Sequence, residues 1–208
     1  MNQNTARLLG HSFGDGYIHR AKAYFVYTNS SRELLDGVKE SVAREIGKVS
    51  TCLRTSICGT PKIQFSPIVG RKLQSLGALQ GSKTRQETVI PSTITKGNKT
   101  TIADFLGALC DDEANVRTDS GSKQIALKSA KIASLEVELE AYLNQIKEMF
   151  DSIGITCSDP KSDRTYVRGG VTKISKRIWI TGSTNFATFA RNIVLKHSHK
   201  QARLHALL

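Results

Sequence analysis

The 208-residue chain lacks any long apolar run, and a membrane-spanning helix needs ~20 such residues. Its first residues, Met1-Asn2-Gln3-Asn4-Thr5, lack the basic and apolar segments of a secretion signal. The four cysteines, Cys52, Cys58, Cys110 and Cys157, show no C-x-x-C spacing. They read as free thiols, so an intracellular protein is expected, cytoplasmic or in an organelle matrix, without membrane attachment. No G-K-[ST] follows a glycine-rich stretch. Gly10, Gly14 and Gly16 do not fit G-x-G-x-x-G, and no strand precedes them, which argues against a nucleotide loop.

Acidic residues are scarce as well. There are 18 Asp and Glu against 30 Lys and Arg, a formal charge of +12. A surplus of that size points to a polyanionic partner, with nucleic acid ahead of a membrane surface. Apolar residues, by contrast, are plentiful: 39 % of the chain is hydrophobic, enough for a packed core and against global disorder. The length suits one large domain or two small ones sharing an interface.

The sequence repeats itself. Leu8-Leu9-Gly10-His11-Ser12-Phe13-Gly14-Asp15-Gly16-Tyr17-Ile18 returns as Leu106-Gly107-Ala108-Leu109-Cys110-Asp111-Asp112-Glu113-Ala114-Asn115-Val116. At a constant offset of 98, Leu8 falls on Leu106, Gly10 on Ala108, Asp15 on Glu113 and Ile18 on Val116. The segments downstream of the two copies correspond too. Residues 23–28 are rich in β-formers, and 31–47 carry helical spacing in Leu34, Leu35, Val38, Val42 and Ile46. In the second copy Ile125 and Leu127 alternate with polar residues, and 135–153 read as a longer amphipathic helix. Gly47 and Gly154 stand where helix stops belong. Residues 62–66 and 177–181 alternate in the same phase, a helix begins at Pro67 and near Ser183, and Lys83 falls opposite Lys200. Each half therefore reads helix, two strands, helix, two strands, helix. We place the halves at 1–90 and 100–208, with a linker at 91–99 marked by Pro91, Gly97 and clustered Ser and Thr.

Small residues at Gly10, Gly107 and Ala108 let two helix backbones approach closely, as small-residue seams do. If the two copies cross there, Asp15 and Glu113 converge at their C-terminal ends. Two carboxylates brought together repel, and a hard divalent cation neutralises them; Mg²⁺ suits oxygen ligands and phosphate substrates.

These motifs, with GDG closing the first and DDEA the second, resemble the paired motifs of the monomeric LAGLIDADG homing endonucleases. The approach to the second motif from Val89-Ile90-Pro91 into Phe105-Leu106 is similar as well, as is the ending with Thr181-Gly182, a helix and a basic tail. The resemblance covers nearly the whole chain. It implies an α+β fold of two pseudo-symmetric αββαββα halves forming a saddle of antiparallel sheets over double-stranded DNA. It also implies metal-dependent double-strand cleavage at one long, near-asymmetric site by a monomer needing no protein partner. The metal residues carry over to Asp15 and Glu113, helped by the carbonyls of Gly14 and Asp112. Mg²⁺ would be the cofactor, Mn²⁺ a substitute, and Ca²⁺ would support binding without cutting. Phe13 and Gly14 stand where many relatives carry Asp-Ala, and Ala108 and Ala114 where Gly is common; alanine is less permissive in backbone angle.

The resemblance further implies basic residues near the metals that stabilise charge on the cleaved phosphate, here Lys83 and Lys200. The plain alternative for both is a contact to the phosphate backbone. Alternation nominates the DNA face: Tyr17, His19 and the adjacent Arg20; Cys52, Arg54 and Ser56; Lys62 and Gln64; Asn115 and Arg117; Gln124 and Lys128. A two-stranded ribbon fits the major groove, where such side chains read base edges. His197-x-His199 has no third ligand nearby and reads as part of a flexible basic segment, while the apolar end after Arg203 is expected to pack on a sheet edge. The rival functions are an RNA maturase or a non-cleaving DNA-binding regulator on the same fold. Retention of both acids argues against the second.

Overall fold

The computed structural model describes residues 1–119 and 121–208. Two helices form its centre. Helix α1 (Gln3–Phe13) starts at Asn2, whose side chain accepts from the Thr5 amide; α5 (Lys99–Glu113) starts at Asn98, which does the same for Thr101. Both are buried around most of their circumference over the last two turns, since they pack on each other and on a sheet each. The expected seam forms at Gly10 and Ala108, where a Cβ on Gly10 would collide with the Phe105 carbonyl oxygen and the Ala108 side chain, whereas Gly107 faces the Arg7 side chain and the Val194 carbonyl. Alongside the seam, the rings of Phe13 and Phe105 meet edge to face at 5.6 Å.

After α1 come β1 (Gly16–Ile18), β2 (Phe25–Thr28), α2 (Arg32–Ile46), β3 (Thr51–Thr55), β4 (Pro61–Phe65) and α3 (Pro67–Ser75). A short helix, α4 (Ser92–Thr95), precedes α5. The second half continues with β5 (Ala114–Arg117), β6 (Gln124–Ile132), α6 (Glu136–Ser152), β7 (Lys161–Arg168), β8 (Val171–Ile180), α7 (Ser183–Asn192) and α8 (Ser198–His205). The strands make two antiparallel four-stranded sheets, ordered β1-β2-β4-β3 and β5-β6-β8-β7. Their registers correspond, with Gly16 opposite Tyr27 and Tyr27 opposite Ile63 in one, Ala114 opposite Leu127 and Leu127 opposite Ile178 in the other. Helix α2 runs directly into Gly47, and α6 reaches Gly154 through Ile153; both glycines adopt positive φ, 93° and 82°. The core is continuous across both halves, running from Phe25, Tyr27 and Phe65 through Phe105 to Phe150 and Phe189.

The stretch 91–99 between the halves holds α4, Ile94 is fully buried, and Asn98 caps α5. One expectation needs correction: the segment around His197 and His199, read as flexible, is built into the fold. It enters α8, whose Leu204 is buried, followed by buried Leu207; that apolar spacing ties the end of the chain down. Arg203 fastens it further by donating to the Val116 carbonyl of β5 at 3.2 Å.

Candidate functional site

Each central helix runs into its first strand within two residues, so Asp15 and Glu113 stand at adjoining helix ends. Gly14 makes the approach possible, because a Cβ there would collide with the Asp112 carboxylate. That carboxylate, fully buried, is received by the other half. Tyr27 donates to it at 2.6 Å and the Asp15 amide at 3.1 Å, while His11 Nδ1 lies 3.1 Å away. The Asp112 side chain is thus a seam residue; only its carbonyl remains available in the role expected from the resemblance.

Asp15 is held by Asn29, which donates to its Oδ2 at 2.8 Å. Asn29 is fixed in turn, its Oδ1 accepting from the Ser31 amide at 2.8 Å and its backbone amide donating to the Pro61 carbonyl. Burial pushes the Asp15 carboxyl up to about 7, and the charges of Asp112 and Glu113 add to this against Lys83 and Lys200. Glu113 is also raised, chiefly by the desolvation that the crowded helix ends impose although its surface stays open to the groove; Asp112 adds, and both lysines oppose.

The two lysines occupy equivalent posts. Lys83 Nζ donates to the carbonyls of Ser12 at 3.1 Å, Phe13 at 3.0 Å and Gly14. Lys200 Nζ donates to those of Cys110 at 3.1 Å, Asp111 at 2.6 Å and Asp112 at 3.3 Å. These carbonyls lie at the C-terminal ends of α1 and α5, the negative ends of the helix dipoles. Burial lowers both ammonium groups from the usual lysine range, and the surrounding acids pull the other way.

Two clefts flank the seam, and each is built from both halves. One, of about 470 Å³, is lined by Asp15, Asn29, Asp112 and Lys200. The other, of about 340 Å³, is lined by Glu113, Lys83, Lys128 and Tyr142. The acid of each half therefore shares a cleft with the lysine of the opposite half.

The segments carrying the lysines are anchored differently. Asp111, buried in α5, pairs with Arg7 at 2.7 Å and accepts the amides of Lys196 and His197, fixing the approach to Lys200. Lys131 of β6 anchors the Lys83 segment by donating to the carbonyls of Lys83 and Gln86 and to Thr88. Sequence reasoning missed Asn29, the Asp111 and Asp112 side chains, and Lys131.

Among the described residues, no three His, Cys, Asp or Glu side chains converge on a metal position. The donors are all oxygen: two carboxylates at Asp15 and Glu113, and two carbonyls at Gly14 and Asp112, each of which also accepts from a lysine ammonium. That set fits a hard divalent cation that also takes oxygens from a phosphate or water. Raised, mutually repelling carboxylates are what such a cation relieves. The rings of His197 and His199 are 6.4 Å apart and join no such set.

The nominated recognition residues gather on the sheet faces turned away from the core. Arg54 and Lys62 are register partners, as are Arg117 and Gln124. Gln64 lies between buried Ile63 and Phe65; Asn115 lies between buried Ala114 and Val116. Lys128 comes directly after buried Leu127, and Tyr17 and Arg20 are exposed. His19 is partly committed, its Nδ1 accepting the amides of Ala21 and Lys22. Alternation does not select a face in β3, where Leu53 is as open as Cys52 and Arg54. The ribbon is short there and all five residues of β3 are exposed.

No protein-family model matches the sequence, and no curated protein matches it. Solved structures do. The homing endonuclease I-DmoI in complex with DNA and Mn superposes with a TM-score of 0.59 at 13 % identity, over 92 % of this chain and 96 % of that one. Full-length DUF199/WhiA from Thermatoga maritima gives 0.59 at 11 % identity, over 98 % of this chain but 59 % of that one. The N-terminal LAGLIDADG domain of DUF199/WhiA gives 0.54 at 11 % identity, over 95 % and 86 %. The chain has the LAGLIDADG fold.

Proposed function

We propose that this protein is a LAGLIDADG homing endonuclease: a monomeric, metal-dependent enzyme that cuts both strands of one long, near-asymmetric DNA site. The observation that carries the reading is that each acid lines a cleft together with a lysine of the opposite half, Asp15 with Lys200 and Glu113 with Lys83. Two such centres suit a cut in each strand, whereas a binding surface needs none. Support also comes from solved complexes of I-DmoI with its DNA and Mn, Ca or Mg.

In this reading Asp15 and Glu113, with the carbonyls of Gly14 and Asp112, would hold Mg²⁺ or Mn²⁺, which would supply activation of water and neutralisation of charge on the phosphate. Asn29 keeps the Asp15 carboxylate in one orientation. Lys83 and Lys200 present positive charge at the clefts, where charge develops on the phosphate. Gln124, Lys128, Arg54, Lys62 and their neighbours take up the two arms of the site, and the surplus of +12 supports attraction to the duplex. The halves 1–90 and 100–208 would each cover one arm.

The test is direct. DNA bordering the gene, joined as an uninterrupted duplex, is incubated with the protein in Mg²⁺ and in Ca²⁺. Linear product in Mg²⁺ and a shifted but intact duplex in Ca²⁺ are expected. Tight binding with no cutting in either ion, over the full range of flanking sequence, would leave a non-cleaving regulator.

A further inference from the structure

On the open face of the second sheet, the register sets Lys128 beside Arg177 and Ala126 beside Trp179. Their neighbours along the strands, Leu127, Ile178 and Ile180, point into the core. Strand β7 joins this face with an irregularity: Ser162 pairs with Lys176 and Arg164 with Ser175, leaving Asp163 as the extra residue. A bulge of this kind re-aims one side chain, and here it aims a carboxylate at two cations. Asp163 forms an ion pair with Lys128, lies 3.6 Å from Arg177 Nη1, and accepts from the buried Ser175 hydroxyl at 3.1 Å. On its other side the Arg177 guanidinium stands 5.5 Å from the Trp179 ring centroid. The Arg177 Nε is buried and has no hydrogen-bond partner among the described residues.

A carboxylate on a surface that receives a polyanion repels it and weakens non-specific attraction. Neutralising phosphates needs no such group, since a mobile lysine is enough. A planar guanidinium flanked by a carboxylate on one side and a ring on the other has less freedom to lose on binding, and its fork matches the O6 and N7 acceptors of guanine. We propose that Arg177 reads a guanine in the major groove of the DNA arm covered by the second half, and that Asp163 is the positioning residue that holds it. This rests on the reading of the protein as a sequence-specific duplex-DNA binder. Neither Arg177 nor Asp163 lines the clefts that hold Asp15 and Glu113, although Lys128, the ion-pair partner of Asp163, borders the Glu113 cleft.

The experiment is a selection from a randomised duplex library in Ca²⁺ with wild type, Arg177→Ala and Asp163→Asn, each checked for an unchanged melting curve. Wild type enriches one motif. Arg177→Ala enriches the same motif with the preference for one G·C pair lost, a discrimination of roughly tenfold to a hundredfold. Asp163→Asn weakens preference at that same position while binding of random-sequence duplex strengthens and its salt slope steepens by about one, as Lys128 becomes free for phosphate. If Arg177→Ala instead weakens all sequences evenly and flattens the salt slope, Arg177 is a backbone contact and the proposal is overturned. An Asp163→Asn motif identical to wild type overturns the positioning role. A wild-type protein that enriches no motif defeats the underlying DNA reading, an outcome separate from the other two.

Discussion

The ammonium group of Lys131, in the second half, lies 2.9 Å from the backbone oxygen of Lys83 in the first. It also donates to the Gln86 carbonyl at 2.5 Å and the Thr88 hydroxyl at 2.6 Å, and the residue is almost wholly buried. Three acceptors around a desolvated cation make this a tie between the halves as well as a support for Lys83. Losing it leaves buried acceptors unmet, each costing about 1–3 kcal/mol. Lys131→Met should therefore destabilise the protein by a few kcal/mol at neutral pH, partly offset by relief from burying a charge. Urea unfolding checks this; a variant as stable as wild type would remove the tie.

The same group gives a pH dependence of known sign. Burial pushes Lys131 down to about 8, with Glu138 and Glu87 opposing and Lys83 assisting. Between that value and the ordinary 10.5, the unfolded chain binds the proton and the folded one has released it. Its contribution to stability then rises with pH across this window; below about 8 the burial penalty is present in full. Lys83 and Lys200 are lowered too and add slopes of the same sign. The difference between wild type and Lys131→Met, measured at pH 7 and at pH 9.5, isolates one group. A difference that does not change between the two would show that Lys131 stays charged throughout.

Legibility in the sequence depends on where the information sits. Asp15 and Glu113 are readable because a repeat sets them at one position in two copies, with small residues marking the crossing. Strand faces are readable wherever a core lies behind them, as at Ile63 and Phe65, and unreadable in β3, where all five residues are exposed. Lys131 carried a signal: it falls in phase with Ile125 and Leu127, and an inward lysine needs partners. Those partners lie 43 to 48 residues away, across the boundary between halves, so their identity was out of reach. Asp111 carried one too, since it falls on Phe13 in the repeat, an acid where an apolar residue serves. Asn29 and the bulge at Asp163 depend on register, which no local pattern specifies.

The metal reading makes the acids indispensable for cutting and dispensable for binding. Asp15→Asn or Glu113→Gln should abolish double-strand cleavage while leaving gel-shift affinity in Ca²⁺ within a few-fold of wild type. Removing a negative charge beside phosphates favours binding, so a small gain is the expected direction. Asn29→Ala frees the Asp15 carboxylate that it holds and should slow cleavage less than Asp15→Asn does. A double acid mutant that still linearises the target would end the assignment.

Because each cleft takes residues from both halves, a single chain completes both centres. The protein should cut as a monomer, and its site should be nearly non-palindromic, covering roughly two helical turns of about 10 bp each. Light scattering of the free and DNA-bound protein tests this. One chain per duplex is the expected result, and an obligate pair of chains on DNA contradicts it.

Lys83 and Lys200 separate chemistry from adhesion. Both cap the carbonyls at the end of a central helix, and both line a cleft with the opposite half's acid. If each only neutralises a phosphate, Lys→Ala weakens binding and lowers the salt slope by about one unit per contact, while the saturated cleavage rate hardly changes. If each stabilises charge on the reacting phosphate, binding moves little and the single-turnover rate falls. Losing one well-placed electrostatic group commonly costs on the order of 10²-fold. The geometry favours the second outcome. Each ammonium is partly buried and fixed by three carbonyls rather than free at the surface. Lys83→Ala and Lys200→Ala should differ in which strand slows, since they belong to different clefts, and nicked intermediates on a strand-labelled duplex report that directly. Equal, few-fold losses on both strands from either variant would return both lysines to backbone contact.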